Sequence, residues 1–162
     1  MQIAEWMANE LTEEMAMTRR LLAKIPHDKL NWQPAADLHT IGWNAAHLVE
    51  IISWIPGILT QTEWDIAPVG GEPYVTPPAE STQQILEHFD VNQRQAMEAL
   101  RGTPDSVMSQ PWSLKMGGQT LFTMKKGDCL RKWVFSHSAH HRGVLATYLR
   151  LAGVPVTSVY EE

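Results

Sequence analysis

The chain has 162 residues, 44% of them hydrophobic and 19% charged. That balance fits one globular domain, residues 1–162, with a single sizeable core. A net charge of -5 argues against nucleic-acid binding, because duplex affinity rests on basic clusters that neutralise phosphates. No apolar run nears the roughly 20 residues that span a bilayer, so no membrane contact is expected.

The opening residues carry Glu5 and Glu10 and lack the basic-then-apolar layout of a secretory signal. Ile3, Met7, Leu11, Met15, Leu22 and Ile25 recur at helical spacing and predict a first helix, stopped by Pro26. A loop follows to His39. Thr40 is a good N-cap for a second helix, which sets Trp43, His47, Ile51 and Trp54 on one face. Pro56-Gly57 is read as its kink or end. Residues 61–80 are rich in proline and glycine and predict a long irregular connection, the kind that often serves function.

Ser81 and Gln84 match a capping box for a third helix. Ile85, Leu86, Phe89, Ala96, Met97 and Leu100 form its apolar face, and Gly102-Thr103-Pro104 closes it. Two short extended runs, 112–116 and 119–124, flank Gly117-Gly118 and predict a small β-hairpin, with a plain loop as the alternative. Asp128 is the expected cap of a fourth helix. That helix runs to about Ala152, where Gly153 and Pro155 mark a C-terminal stop. The expected class is all-α: a four-helix bundle with long connections and one small hairpin before the last helix.

Chemistry gathers at the histidines, of which there are seven. His137 and His141 lie four apart on the last helix, so their Cβ atoms stand about 5–6 Å apart on one face. Composition alone yields some such pair about one time in four, so spacing by itself is a weak motif. Both residues lie on the apolar side of their helix, and His47 shares its face with tryptophans. A three-nitrogen metal site and a set of hydrogen-bonded core histidines therefore stand side by side as readings. His27, His39 and His88 read as exposed polar residues. His140 points about 100° away from His141 and is a candidate to support a ligand or bind substrate.

The stretch His137-Ser-Ala-His-His-Arg-Gly-Val-Leu145, continuing to Val156, resembles the C-terminal helix of the DinB-like family. Ile25-Pro-His-Asp-Lys-Leu-Asn-Trp-Gln-Pro34 and Ile41-Gly-Trp-Asn-Ala-Ala-His47-Leu-Val-Glu50 are similar to that family's first loop and second helix. The resemblance runs from the first helix to Val156. It implies a four-helix bundle holding a divalent metal, usually zinc or nickel, on His47, His137 and His141. It also implies a homodimer. The family includes thiol-dependent S-transferases and isomerases that use low-molecular-weight thiols such as bacillithiol or mycothiol, and its founder is damage-inducible.

Three imidazoles leave the charge of a divalent ion uncompensated, and an open position there suits a thiolate or water. The leading expectation is a cytoplasmic transferase that activates a small thiol against an electrophilic small-molecule substrate. A metal-dependent hydrolase is the runner-up, with Glu50 or Asp128 as general base, although Glu50 could instead orient a ligand imidazole. A metal-stabilised binding or stress-response protein is the third reading. Trp43, Trp54, Trp133 and Tyr148 are candidate walls of a small-molecule pocket. Arg142 and Arg150 are candidates to bind an anionic group, with solvated helix residues as the plainer reading. Cys129, the lone cysteine, excludes an intrachain disulfide, fits a reducing compartment and reads as a small core residue.

Overall fold

A computed structural model of the chain describes residues 2–158 and 160. The fold is mostly helical, with a small three-stranded sheet. Helix α1, Ile3–Leu22, buries Met7, Leu11, Met15 and Leu22 as the periodicity predicts. Ile3 departs from that stripe and is 50% exposed.

Helix α2, Ile41–Thr60, opens where expected: Thr40 Oγ1 accepts the Trp43 N–H at 3.0 Å. The helix neither stops at Pro56 nor needs to. Proline removes one backbone bond, and the final turn is held by burial of Ile55, Ile58 and Leu59. Gly42 is required at its start. Its N–H donates to the Leu30 carbonyl at 2.7 Å, and a Cβ there would meet that oxygen at 2.9 Å. Burial on almost every side makes α2 the central element, packed on α3 and α6.

Helix α3, Thr82–Arg101, is capped by Ser81, which accepts the Gln84 N–H at 3.0 Å. The Gln84 amide oxygen reaches back to the Glu80 N–H at 3.0 Å, one residue earlier than the standard box. A single helical turn, α4 (Asp105–Met108), leads into the sheet.

The predicted hairpin is present as β2, Pro111–Met116, and β3, Gln119–Lys125. Gly117 and Gly118 form its turn with φ of 62° and 79°, values that favour glycine at both positions. The sheet is larger than expected. Glu63–Asp65, within the connection expected to be irregular, forms β1 and pairs parallel to β2. Three residues are too short for a period-2 pattern to announce a strand. The Asp65 carboxylate accepts N–H bonds from Ala67, Gly117 and Gly118 at 3.0, 3.0 and 2.7 Å. Those bonds fasten the connection to the hairpin turn and hold the carboxyl pKa below its usual value despite desolvation.

Strand β3 runs directly into the last helical segment. It comprises α5 (Lys126–Cys129), a wide π-helical stretch (Leu130–Ser136), and α6 (His137–Leu151). Asp128 is not its cap. The first turn begins two residues earlier, with Lys125 extended before it and no side-chain cap. The far end matches expectation: Gly153 has φ of 82°, and Val154 N–H donates to Leu149 O at 2.8 Å. Arg142 is also corrected. It is 3% exposed, ion-paired to Glu14 of α1 at 2.6 Å and bonded to Thr18 at 3.2 Å, so it is neither solvated nor free for an anion. Among the described residues, no helix is long and apolar enough to cross a membrane.

Candidate metal centre

His47 comes from the middle of α2, and His137 and His141 from the first two turns of α6. Packing of α2 against α6 brings them together. One ring nitrogen from each lies within 4.8 Å of the others. The His137 and His141 Nε2 atoms are 3.0 Å apart.

The surrounding bonds decide which nitrogens are free. Asn44, one turn before His47 and 2% exposed, donates its amide to the Thr40 carbonyl at 2.9 Å. Its Oδ1 must therefore be the atom that faces His141 Nδ1 at 3.2 Å. An oxygen acceptor requires a proton on Nδ1, and so His141 Nε2 is a bare lone pair. On His47, Nδ1 meets Thr76 Oγ1 at 3.3 Å. Thr76 also bonds Glu50, whose carboxylate accepts from Tyr74 OH at 2.7 Å. Either the Thr76 hydroxyl or His47 Nδ1–H is the donor in that contact; the second arrangement leaves His47 Nε2 free. His137 Nδ1 is buried with no partner at hydrogen-bond geometry.

All three imidazoles are held neutral. Burial, then the neighbouring His137 and His39, pulls His47 down to about 4. Burial, then His47, His137, His140 and His39, pulls His141 down to about 3. Burial also lowers His137, offset in part by the backbone of Trp133. Neutral imidazole is the state that binds metal. Two nitrogens about 2.0–2.1 Å from one ion, at angles from square to tetrahedral, stand about 2.8–3.4 Å apart. The 3.0 Å pair fits that range, and with the third nitrogen within 4.8 Å the three histidines could hold one ion.

Aromatic rings enclose the cluster. Trp43 is stacked between His39, at 3.5 Å between centroids, and His47, at 4.8 Å. His39 is exposed, as expected, and its ring stacks on Trp43. Trp54 meets the edges of His47 and His137 at 5.7 and 5.8 Å. His140 is exposed, its ring 5.0 Å from that of His141. Tyr148 is elsewhere: it packs on Trp32 at 6.2 Å. Arg150 binds the carbonyls of Val156 and Thr157 and ties down the C-terminal segment.

Beyond His137 lies a cavity of about 150 Å³. Trp64, Leu114 and Phe122 form one cross-strand row on the sheet, and all three line it. From the helical side come Trp54, Cys129, Trp133 and His137. Trp133 stacks on Phe122 with ring planes 2° apart. Cys129 is buried, and burial pushes its thiol up to about 11, so it stays protonated near neutral pH.

The family model described as "DinB superfamily" matches residues 10–145. The chain belongs to the DinB superfamily. Solved structures of other members share the fold of this DinB-superfamily chain. A DinB-like protein from Bacillus cereus ATCC 10987 is 22% identical, with a TM-score of 0.67, over 93% of this chain and 94% of its own. A DinB-like protein from Bacillus subtilis, YjoA, is 14% identical, with a TM-score of 0.71, over 96% and 97%. No curated protein matches this superfamily member.

Sequence reasoning missed Asn44, Thr76 and Tyr74. Asn44 left a signal: a polar residue three before His47 inside an otherwise apolar helix. Thr76 and Tyr74 left none, because their places depend on the path of the 61–80 connection.

Proposed function

We propose that His47, His137 and His141 hold a divalent metal, zinc or nickel, and that the protein is a metal-dependent transferase acting with a low-molecular-weight thiol. The long helices, with α3 on α1 and α2, and α6 on α2 and α1, are read as the four-helix bundle that carries this centre. The observation that carries the reading is the bonding of His141. Its Nδ1–H is committed to Asn44, and its bare Nε2 faces that of His137 at 3.0 Å. One proton shared between the two rings or one cation fills that gap, and the His47 nitrogen within 4.8 Å of both favours the cation. A metal there deprotonates a bound thiol.

The chain's own residues do the remaining work. Asn44 and Thr76 orient two imidazoles, and Glu50 anchors Thr76. The Trp43–His39 stack shields His47 from water. Cys129 supplies no nucleophile, since burial keeps its thiol protonated. That favours a thiol brought from outside. The hydrolase reading has less support, because Glu50 is engaged by Tyr74 and Thr76 rather than free as a base. A homodimer and a cytoplasmic location belong to the same proposal; they rest on the family resemblance and on the lone cysteine.

The test is metal content by mass spectrometry on untagged protein, followed by turnover assays. Near-stoichiometric zinc or nickel is expected, lost in His137→Ala. An electrophile should be consumed only when a thiol such as bacillithiol is supplied. Turnover of an activated ester without thiol would replace the transferase by a hydrolase. Bound metal with neither activity would leave a metal-stabilised binding protein. Protein that takes up neither metal on titration overturns the centre itself.

A further inference from the structure

We propose that the cavity behind His137 is a substrate subsite for one apolar group the size of a six-membered ring. The inference rests on the metal-centre reading for its role, but the cavity stands on its own geometry. Its walls come from the sheet, from the last helical segment, and from Trp54 of α2 and Tyr74 of the connection. The sheet contributes the row Trp64, Leu114 and Phe122, with Ile66 and Trp112 on the same face. The last helical segment contributes Cys129, Trp133 and His137. No polar atom is exposed on the wall.

Size and polarity together name the occupant. A dry apolar cavity of about 150 Å³ accepts benzene, because the lining gains dispersion contacts that it otherwise lacks. This cavity has that volume, about 150 Å³, and one side of it opens to solvent, which gives a ring a way in. A charged or strongly polar group would lose its hydration there with nothing in return. A ring or a branched aliphatic group loses none.

Position supplies the function. His137 belongs both to the cavity wall and to the histidine cluster. A substrate whose apolar end fills the cavity therefore has its other end beside the three histidines. The indole N–H groups of Trp112 and Trp133 are buried without partners. Each such group is a cost that phenylalanine would avoid. Both occur in residues that line this cavity, where the indole faces form the wall and the N–H groups stay off its exposed surface. The substrate class is then an electrophile carrying a phenyl-sized apolar substituent.

Fluorobenzene is the probe, read by ¹⁹F NMR and by melting temperature on the protein as purified and after chelator treatment. The proposal expects a shifted, saturable ¹⁹F signal in both states. Leu114→Trp, which fills the cavity from the sheet, should weaken binding at least tenfold while leaving metal content unchanged. Ile66→Phe is the second filling variant, used if the first does not fold by circular dichroism. No binding to the folded wild type overturns the proposal and leaves the metal centre standing. Binding undiminished in a folded filling variant also overturns it. Binding to a protein that takes up no metal overturns the subsite role, since the metal-centre reading has then failed separately.

Discussion

Asn44 determines more of the site's chemistry than its neutral amide suggests. It reads the Thr40 carbonyl with its nitrogen and so presents oxygen to His141. Such outer partners fix the tautomer and orientation of metal-binding imidazoles, and losing one typically costs about 10–100-fold in metal affinity. Asn44→Ala should weaken zinc binding by about that factor in a chelator competition. Unchanged affinity would mean that packing alone sets the His141 ring. A second consequence concerns pH. His47 and His141 titrate at about 4 and about 3 in the folded chain, below the value near 6.5 of an unfolded chain. As pH falls from about 6.5, the unfolded state takes up protons that the native state refuses. Metal-free protein should therefore keep the contribution of these groups above about pH 6.5 and lose it progressively as pH falls through about 4 and about 3. Urea midpoints at pH 7.5 and pH 5 check the sign. A midpoint that rises on acidification would contradict it.

At the scale of elements, local signals were readable and long-range ones were not. Thr40, Ser81 and Gly153 act through atoms within a few residues, so their caps could be read directly. The hairpin turn was readable for the same reason, since Gly117 and Gly118 carry positive φ. Strand β1 was not readable, because its pairing depends on β2, some fifty residues away. The π-helical stretch before His137 was missed as well. Hydrophobic spacing alone does not distinguish a widened turn from an α turn at seven residues. Such turns are frequent at functional sites, and this one sits between Cys129 and His137, both cavity residues. Tyr148 shows the opposite error. A shared helix face does not mean a shared site: eleven residues beyond His137 is about 16 Å along the axis, and Tyr148 meets Trp32 instead.

Across the whole molecule, one buried ion pair joins the first and last helices. Arg142 projects from the helix that carries His137 and His141, yet it turns to Glu14 and Thr18 of α1. Removing one partner of a buried pair strands the other charge, at a cost of about 3–5 kcal/mol. Glu14 remains 21% exposed, so the low end, about 3 kcal/mol, is expected for Arg142→Ala by chemical denaturation. Metal content should be unchanged, since the Arg142 side chain bonds to Glu14 and Thr18 of α1 and not to the three histidines. Loss of metal together with stability would instead make this pair part of what positions α6.

The sequence by itself determined the long helices, the ends at Thr40, Ser81 and Gly153, the glycine turn and the candidate ligands His47, His137 and His141. Those features depend on periodicity and on contacts a few residues long. Only the tertiary structure decided which nitrogens are free, what Arg142 pairs with, and that a sheet closes an apolar cavity behind His137. Each of those depends on groups far apart in the chain, such as His141 with Asn44 or Trp64 with Leu114 and Phe122. No local pattern encodes such a meeting; it exists only once the elements have packed.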